Sequence, residues 1–267
     1  MNRYRSIFVS DIHLGTKSSK VEVLNTFLKS NSAENYILVG DIIDVWKMKR
    51  GNFYWDEHQT TFIKKILKKS KTKNVVYVAG NHDEFLREFM PFNFPVGGIK
   101  IQNRLVYDTV DGKKYLVVHG DAWDGISKLA PWLCFMGDVL YEVALDVNLR
   151  YNGIRRRLGY GYWSLSAFLK SKVKSALDFI FEFENNISDY AVHKGFDGVV
   201  CGHIHNAEIK KINSIDYLNC GDFVETCSLI VETFDGQFIL FKLLGGEMCP
   251  TVSLVHDILY KLNGETK

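Results

Sequence analysis

The chain has 267 residues, 46% of them hydrophobic and 24% charged, the composition of an ordinary soluble globule with one large α/β domain or a domain carrying an insertion. Its formal net charge of +2 excludes a molecule that attracts nucleic acid by overall charge, so any electrostatic signal is local. Four prolines and no internal repeat argue against flexible linkers, and five cysteines without a C-x-x-C pair fit a reducing compartment with buried thiols.

The first apolar run, Ile7-Phe8-Val9, predicts a buried strand that ends in Ser10-Asp11-Ile12-His13-Leu14-Gly15. The apolar stretch before Asp11 is too short for a signal peptide, so the expected location is cytoplasmic. Helical spacing over Val21 to Leu28 precedes a strand at Tyr36 to Val39, which ends in Gly40-Asp41-Ile42-Ile43-Asp44. Gly40 permits a sharp turn there, so Asp41 can face a site. An amphipathic helix is expected over residues 56–69, then a strand at Val75 to Ala79 closed by Gly80-Asn81-His82-Asp83.

Leu105 to Tyr107 and Tyr115 to Val118 flank Asp111-Gly112, a hairpin signal, and the second of these strands ends in His119-Gly120-Asp121. From about Trp123 to Lys194 the pattern turns helical, with one helix over Leu129 to Val147 and a second over about Trp163 to Phe183. Strands return at Gly198 to Cys201, ending in Gly202-His203-Ile204-His205, and then around Tyr217, Ser228 to Val231 and Phe238 to Leu243. The alternation predicts an α/β sheet flanked by helices. Its core spans residues 1–122 and 195–245, a helical cap insertion spans 123–194, and a peripheral C-terminal segment spans 246–267.

The strand ends together supply Asp11, His13, Asp41, Asn81, His119, His203 and His205. Isolated polar residues at strand ends are usually turn formers. Five consecutive strand ends that each donate a metal-capable group are not explained that way. A mixed nitrogen and oxygen set without cysteine suits a first-row divalent ion such as Mn, Fe or Zn and argues against a structural zinc finger. Seven candidate ligands suit two ions roughly 3.5–4 Å apart sharing a carboxylate, for which Asp41 is the expected bridge. Asp121 is expected either to brace His119 or to close a turn.

This ordered set resembles the calcineurin-like metallophosphoesterase family, whose signature runs D-x-H, G-D, G-N-H-D/E, H and G-H-x-H. The resemblance implies a four-layer α/β/β/α sandwich. It implies that Asp11, His13, Asp41 and His205 hold one ion and that Asp41, Asn81, His119 and His203 hold the other. His82 is then the non-ligand histidine near the leaving-group oxygen, with Asp83 orienting it. Two such ions acidify water and take up charge on the phosphate oxygens.

The insertion bears on the substrate. No acidic residue lies between Asp146 and Asp178, whereas Arg150, Arg155, Arg156, Arg157, Lys170, Lys172 and Lys174 do. Ser166, Lys170 and Lys174 align on one face of the second helix and are the candidate substrate-binding residues there, with Asn81 at the metal centre. Basic charge beside apolar surface suits a ligand with phosphate at one end and hydrocarbon at the other, or an anionic membrane; a solvated basic face accounts for the same pattern.

The stretches Asp11 to Gly15, Gly40 to Asp44 and Gly221-Asp222-Phe223-Val224-Glu225 are similar to the UDP-2,3-diacylglucosamine pyrophosphatase branch, where a helical cap covers the metals. That likeness implies hydrolysis to UMP and 2,3-diacylglucosamine 1-phosphate, a lipid A step, using two divalent ions, expected to be Mn2+, at the inner membrane surface. The branch carries Arg after the Asn of its third motif, where this chain has His82. A phosphoesterase for soluble diesters or phosphoproteins, and a binding protein on the same fold, are the rival readings. No nucleic-acid partner is expected. Trp46, Lys47, Lys49 and Arg50 follow the second motif; contact with a nucleotide or phosphate is one reading of them, and an exposed loop is the expected one.

Overall fold

A computed structural model describes residues 2–51, 53–90, 96–123, 165–243 and 249–251; for Phe89, 165–176 and 249–251 it describes the backbone alone. The elements are β1 (Asn2–Val9), α1 (Val21–Ser30), β2 (Asn31–Val39), α2 (Val45–Lys49), α3 (Glu57–Lys69), β3 (Asn74–Val78), α4 (Leu86–Phe89), β4 (Lys100–Gln102), β5 (Leu105–Asp108) and β6 (Lys114–Val117). After the described gap come α5 (Leu165–His193), β7 (Gly198–Cys201), β8 (Glu208–Ile212), β9 (Ile215–Asn219), β10 (Ser228–Glu232), β11 (Phe238–Lys242) and β12 (Cys249–Thr251).

Two sheets result. One orders β12-β11-β10-β1-β2-β3-β4 and the other β5-β6-β7-β9-β8. β1 to β4 pair in parallel in the first sheet, and β6, β7 and β9 do so in the second. The strands of the first sheet are apolar on both faces, so alternate residues serve two cores. Ile7, Val9, Tyr36, Leu38, Val75, Tyr77, Leu229 and Val231 pack with Leu24, Phe27 and Leu28 of α1 and Phe62 and Ile66 of α3. Phe8, Ile37, Val39, Val78 and Ile230 point the other way and join Tyr107, Tyr115, Val117, Val200 and Leu218 of the second sheet. The α/β class expected from the sequence is therefore present, and it is built on two mixed sheets, as the layered sandwich implied by the resemblance requires.

The helices form where apolar spacing and caps coincide. α1 buries Val21, Leu24, Phe27 and Leu28 on one side. α3 starts where the Asp56 carboxylate accepts the Gln59 amide at 2.9 Å. β2 begins at Asn31, directly after α1, five residues before the Tyr36 that opens the apolar run. Its first residues pair with the start of β1, which compensates their weaker strand propensity. Cys249–Thr251 extends the first sheet as an edge strand. Cys201, Cys220 and Cys227 are buried, and Cys201 Sγ accepts from Asn219 Nδ2 at 3.6 Å.

The chain divides into two compact units, Met1–Trp123 with Ile187–Lys267, and Asp124–Asn186. Within the second unit, the described part is the α5 stretch 165–186. The helix expected over Leu129 to Val147 lies outside the described residues, as do the side chains of Ser166, Lys170 and Lys174, whose backbone is helical. No described helix is long and apolar enough to cross a membrane.

Candidate metal centre

Parallel strands in both sheets bring their carboxyl ends to one region, where the loop after each strand delivers its polar residues. The turns are sharp. Asp11, His13, Asp41, His203 and His205 all adopt positive φ, between 51° and 70°. For residues with a Cβ this conformation costs about 1 kcal/mol or more each, so the surrounding hydrogen bonds over-determine it. Backbone bridges supply that constraint: the Asp11 amide donates to the Gly40 carbonyl at 3.1 Å and the His13 amide to the Asp41 carbonyl at 3.0 Å. Gly40 has φ +78°, as a sharp turn requires, and a Cβ there would collide with the His119 ring.

Each central carboxylate splits its two oxygens between scaffold and site. Asp11 Oδ2 accepts the His203 amide at 3.0 Å, while its Oδ1 lies 3.1 Å from His205 Nε2 and 3.9 Å from His13 Nε2. Asp41 Oδ1 accepts the His82 amide at 2.8 Å, while its Oδ2 lies 3.3 Å from His119 Nε2, 3.9 Å from His82 Nε2 and 4.0 Å from His13 Nε2. His119 Nδ1 lies 3.0 Å from the Val39 carbonyl, to which it donates, and this aims Nε2 at Asp41 and, at 3.2 Å, at Asn81 Oδ1; both are acceptors, so Nε2 carries a proton there that a metal would displace. Two ligand triads emerge, Asp11 with His13 and His205, and Asp41 with His119 and His203, each with its donor atoms within 4.8 Å of one another.

Charge explains the titration of these groups. Burial alone would raise the Asp11 carboxyl, but His205, His119 and His13 more than offset it and hold it well below the usual range. Asp41 is held down to about 2, with burial again outweighed, chiefly by His119. Burial would depress both imidazoles, yet Asp41 pushes His119 up to about 10 and Asp11 pushes His205 up to about 9. A cluster that needs extra positive charge this strongly suits divalent cations. Asp11 Oδ1 and His13 Nε2 are buried with no hydrogen-bond partner, and an unsatisfied buried acceptor is costly unless a ligand takes it up. The donor set therefore fits divalent metals.

One sequence expectation is corrected. Asp83 does not orient His82. Its carboxylate is buried and fully engaged by the Ile42 amide at 2.8 Å, the Gly80 amide at 2.6 Å and the Tyr77 hydroxyl at 2.5 Å. It ties the third motif to the second and raises the Tyr77 hydroxyl pKa, after burial, by its own charge. The carboxylate beside His82 is Asp44, whose Oδ1 lies 3.1 Å from His82 Nδ1 and whose Oδ2 lies 3.4 Å from His13 Nδ1. Asp44 also caps α2 by accepting the Lys47 amide at 2.9 Å. Asp44, His13 and His82 form a third group of converging metal-capable atoms. The signal was in the sequence, as the last residue of Gly40-Asp41-Ile42-Ile43-Asp44, but nothing there distinguishes Asp44 from Asp83 as the partner of His82.

Asp121 opens the short turn Asp121–Trp123, one of its two expected roles, accepts Arg87 Nη2 at 2.9 Å, and helps to raise the His119 pKa by its charge. Trp46, expected in an exposed loop, differs: it packs against the His82 ring, tilted by 33° with centroids 4.4 Å apart, and is half-buried. The Gly221 to Glu225 stretch acts as a prop. Phe223 donates its amide to the Asp11 carbonyl at 3.0 Å, and the Ser10 hydroxyl donates to the Gly221 carbonyl at 2.7 Å. Asp222 closes that turn by accepting the Val224 amide at 2.7 Å and the Thr226 hydroxyl at 2.8 Å.

Comparison with known proteins agrees with this arrangement. By sequence, no curated protein matches the chain. Among solved structures, it is similar to vacuolar protein sorting 29 of Cryptosporidium parvum, at 13% identity and TM-score 0.48, over 92% of this chain and 94% of that one. It is similar to Vps29 complexed with zinc from Entamoeba histolytica, at 12% identity and TM-score 0.42, over 92% and 96%. The Escherichia coli phosphoesterase Yfce aligns at 14% identity and TM-score 0.42, over 91% and 95%. The calcineurin-like phosphoesterase family model matches residues 4–207, a span that contains every strand-end group described above. The chain belongs to the calcineurin-like phosphoesterase family and is a metal-dependent phosphoric ester hydrolase.

Proposed function

We propose that Asp11, His13, Asp41 and His205 hold one divalent ion, that Asp41, Asn81, His119 and His203 hold a second, and that the ions are Mn2+, with Fe and Zn as the alternatives. The observation that carries this is the division of oxygens: Asp11 and Asp41 each spend one oxygen on a backbone amide and turn the other toward imidazoles, Asp11 toward His205 and Asp41 toward His119, with His13 between the two carboxylates. Bound ions supply Lewis acidity toward phosphate oxygens and bring the pKa of water toward neutrality.

The chain's own groups do the rest. Asp44 faces Nδ1 of His82, and burial would lower the ring's pKa but Asp44 and Asp41 raise it, which favours the doubly protonated ring with a second proton at Nε2 toward the site. That proton goes to the leaving oxygen as the phosphorus–oxygen bond breaks and water's oxygen bonds to phosphorus, the water's own proton passing to solvent. Trp46 packs on one face of the ring and keeps it from turning away.

The substrate we propose is UDP-2,3-diacylglucosamine, cleaved at its anhydride to UMP and 2,3-diacylglucosamine 1-phosphate. Support comes from the Gly221 to Glu225 stretch, which resembles that branch and props Asp11, and from the basic residues of the insertion, where Ser166, Lys170 and Lys174 are the proposed contacts. His82, in place of the branch's Arg, favours the second reading, a phosphoesterase for soluble diesters or phosphoproteins. Parallel assays on UDP-2,3-diacylglucosamine and on bis(p-nitrophenyl) phosphate, with metal content measured in each preparation, decide between them. A strong preference for the aryl diester removes the lipid reading.

A further inference from the structure

The loop between α2 and α3 carries an apolar surface that the catalytic machinery does not use. Phe53, Tyr54 and Trp55 are consecutive, all exposed, at 47%, 38% and 37%, and Met48 on α2 is 42% exposed. Phe53 and Trp55 stack on one another with centroids 5.6 Å apart, so the two rings form one platform. Aromatic side chains left in water at this density cost hydration free energy without a folding benefit.

The platform is fixed to the rim of the metal centre. The Tyr54 amide donates to the Gly15 carbonyl at 3.0 Å, two residues after His13, and the Phe53 ring lies 3.3 Å from where a Gly15 Cβ would stand. Gln59 of α3 accepts the Gly15 amide at 2.7 Å and donates to the Thr16 carbonyl at 3.1 Å, and Trp55 Nε1–H donates to the Thr60 hydroxyl at 2.9 Å. The rings are thus held against the loop that carries Asp11 and His13.

The charge beside the platform is mostly basic. Residues 45–55 include Lys47, Lys49 and Arg50, all exposed, and no acid, and Lys17 lies 5.7 Å over the Tyr54 ring. The flanking acids are already committed: Asp44 caps α2 and faces His82, and Asp56 caps α3. Glu57 and Glu84 are the acidic side chains at the margin, Glu84 accepting the Trp46 indole at 3.4 Å. Exposed aromatics with Lys17 against them and Lys47, Lys49 and Arg50 on the adjoining helix and turn match the interface of an anionic bilayer, where rings sit at headgroup depth and cations meet lipid phosphates.

We propose that Met48, Phe53, Tyr54 and Trp55, with Lys17, Lys47, Lys49 and Arg50, form an interfacial anchor that seats the metal centre on an anionic lipid surface. This deepens the lipid-substrate reading and rests on it for its purpose, since a diacyl substrate would be met at the surface where it resides.

The test is flotation of the full chain with phosphatidylcholine vesicles and with mixed phosphatidylcholine–phosphatidylglycerol vesicles. The chain is expected to float only with the anionic vesicles. The double variant Phe53→Ser/Trp55→Ser should lose roughly tenfold or more in partition, and Lys17→Ser/Lys49→Ser roughly fivefold per charge. Both should still hydrolyse bis(p-nitrophenyl) phosphate, which shows that they fold, and Phe53→Leu/Trp55→Phe should restore partition. Absence of flotation, flotation independent of phosphatidylglycerol, or unchanged flotation of the Ser variant would overturn the proposal. So would a dimer that Phe53→Ser dissociates, since the platform would then serve a second copy. Flotation that depends on the anchor, in a protein that leaves UDP-2,3-diacylglucosamine intact, would sink the substrate reading alone. Cleavage of that substrate in detergent micelles without flotation would sink the anchor alone.

Discussion

Two buried carboxylate clusters lie along β1 and look alike by burial, yet they differ in what their oxygens find. Glu232 on β10, fully buried opposite Ser6, accepts Arg5 Nη1 at 3.0 and 2.8 Å, the Val110 amide at 2.9 Å and the Tyr107 hydroxyl. Its charge is met by one guanidinium and its lone pairs by protein donors, on ordinary extended backbone. Asp11, a few residues further along, has one oxygen on an amide and the other met by imidazoles alone, His205 Nε2 at 3.1 Å and His13 Nε2 at 3.9 Å, on backbone with φ 51°. The first cluster is complete and links the two sheets through Tyr107. The second is incomplete within the protein and strained, the condition expected of a ligand site. Burial of charge is common to both, so it is the unfinished coordination that marks function.

The sharpest way to break the comparison is to remove a carboxylate from each side. Asp41→Ala should cost on the order of 10³-fold or more in turnover, with both metals reduced in elemental analysis, because Asp41 is the proposed shared ligand. Retention of two ions per chain would show that Asp41 is not shared. Glu232→Ala should do the reverse. Unfolding free energy should fall by about 3 kcal/mol, since Arg5 and Tyr107 lose their buried partner, while metal content stays as in the parent. Urea denaturation beside elemental analysis reads both quantities.

His82→Ala should lower turnover by about 10²-fold with metal content kept, and Asp44→Asn should lower it less and move the alkaline limb of the pH profile to lower pH, as expected of a group acting through His82. Loss of metal in the His82 variant would make it a ligand. Asp83→Asn gives the contrast: its cost should appear in stability and not in the pH profile, because its oxygens hold Ile42, Gly80 and Tyr77.

The mildest test is linkage. His119 and His205, raised to about 10 and about 9 from 6.5, must lose their protons to ligate. In the metal-free protein these raised pKa values contribute stability that is full below pH 6.5 and is lost as pH rises through about 9 and 10. Metal binding runs the opposite way. It should release protons and tighten with pH, by about tenfold per unit for each proton displaced, up to that same range. Titration calorimetry in buffers of different ionisation enthalpy counts the protons. A count of zero at neutral pH would show that the imidazoles are already neutral.

Much of this was legible in the residues. Short continuous apolar runs such as Ile7 to Val9 and Val75 to Val78 mark strands buried on both faces, and a metal-capable group at the end of each is visible without coordinates. The start of β2 at Asn31 was not, because Asn31 to Asn35 lack strand character and are held by pairing with β1. Nor was the role of Trp46, which looks like an exposed loop residue until His82 is brought beside it.

What the sequence determined by itself was the inventory: which side chains stand at the strand ends, in what order, and that they are a mixed oxygen and nitrogen set of metal-capable groups. That information is local, written in alternation and spacing. The tertiary structure alone decided which oxygen of Asp11 and Asp41 faces the imidazoles, and that Asp44 rather than Asp83 attends His82. Those outcomes come from competition among backbone amides of distant turns for the same carboxylates. A competition between segments tens to hundreds of residues apart leaves no pattern along the chain.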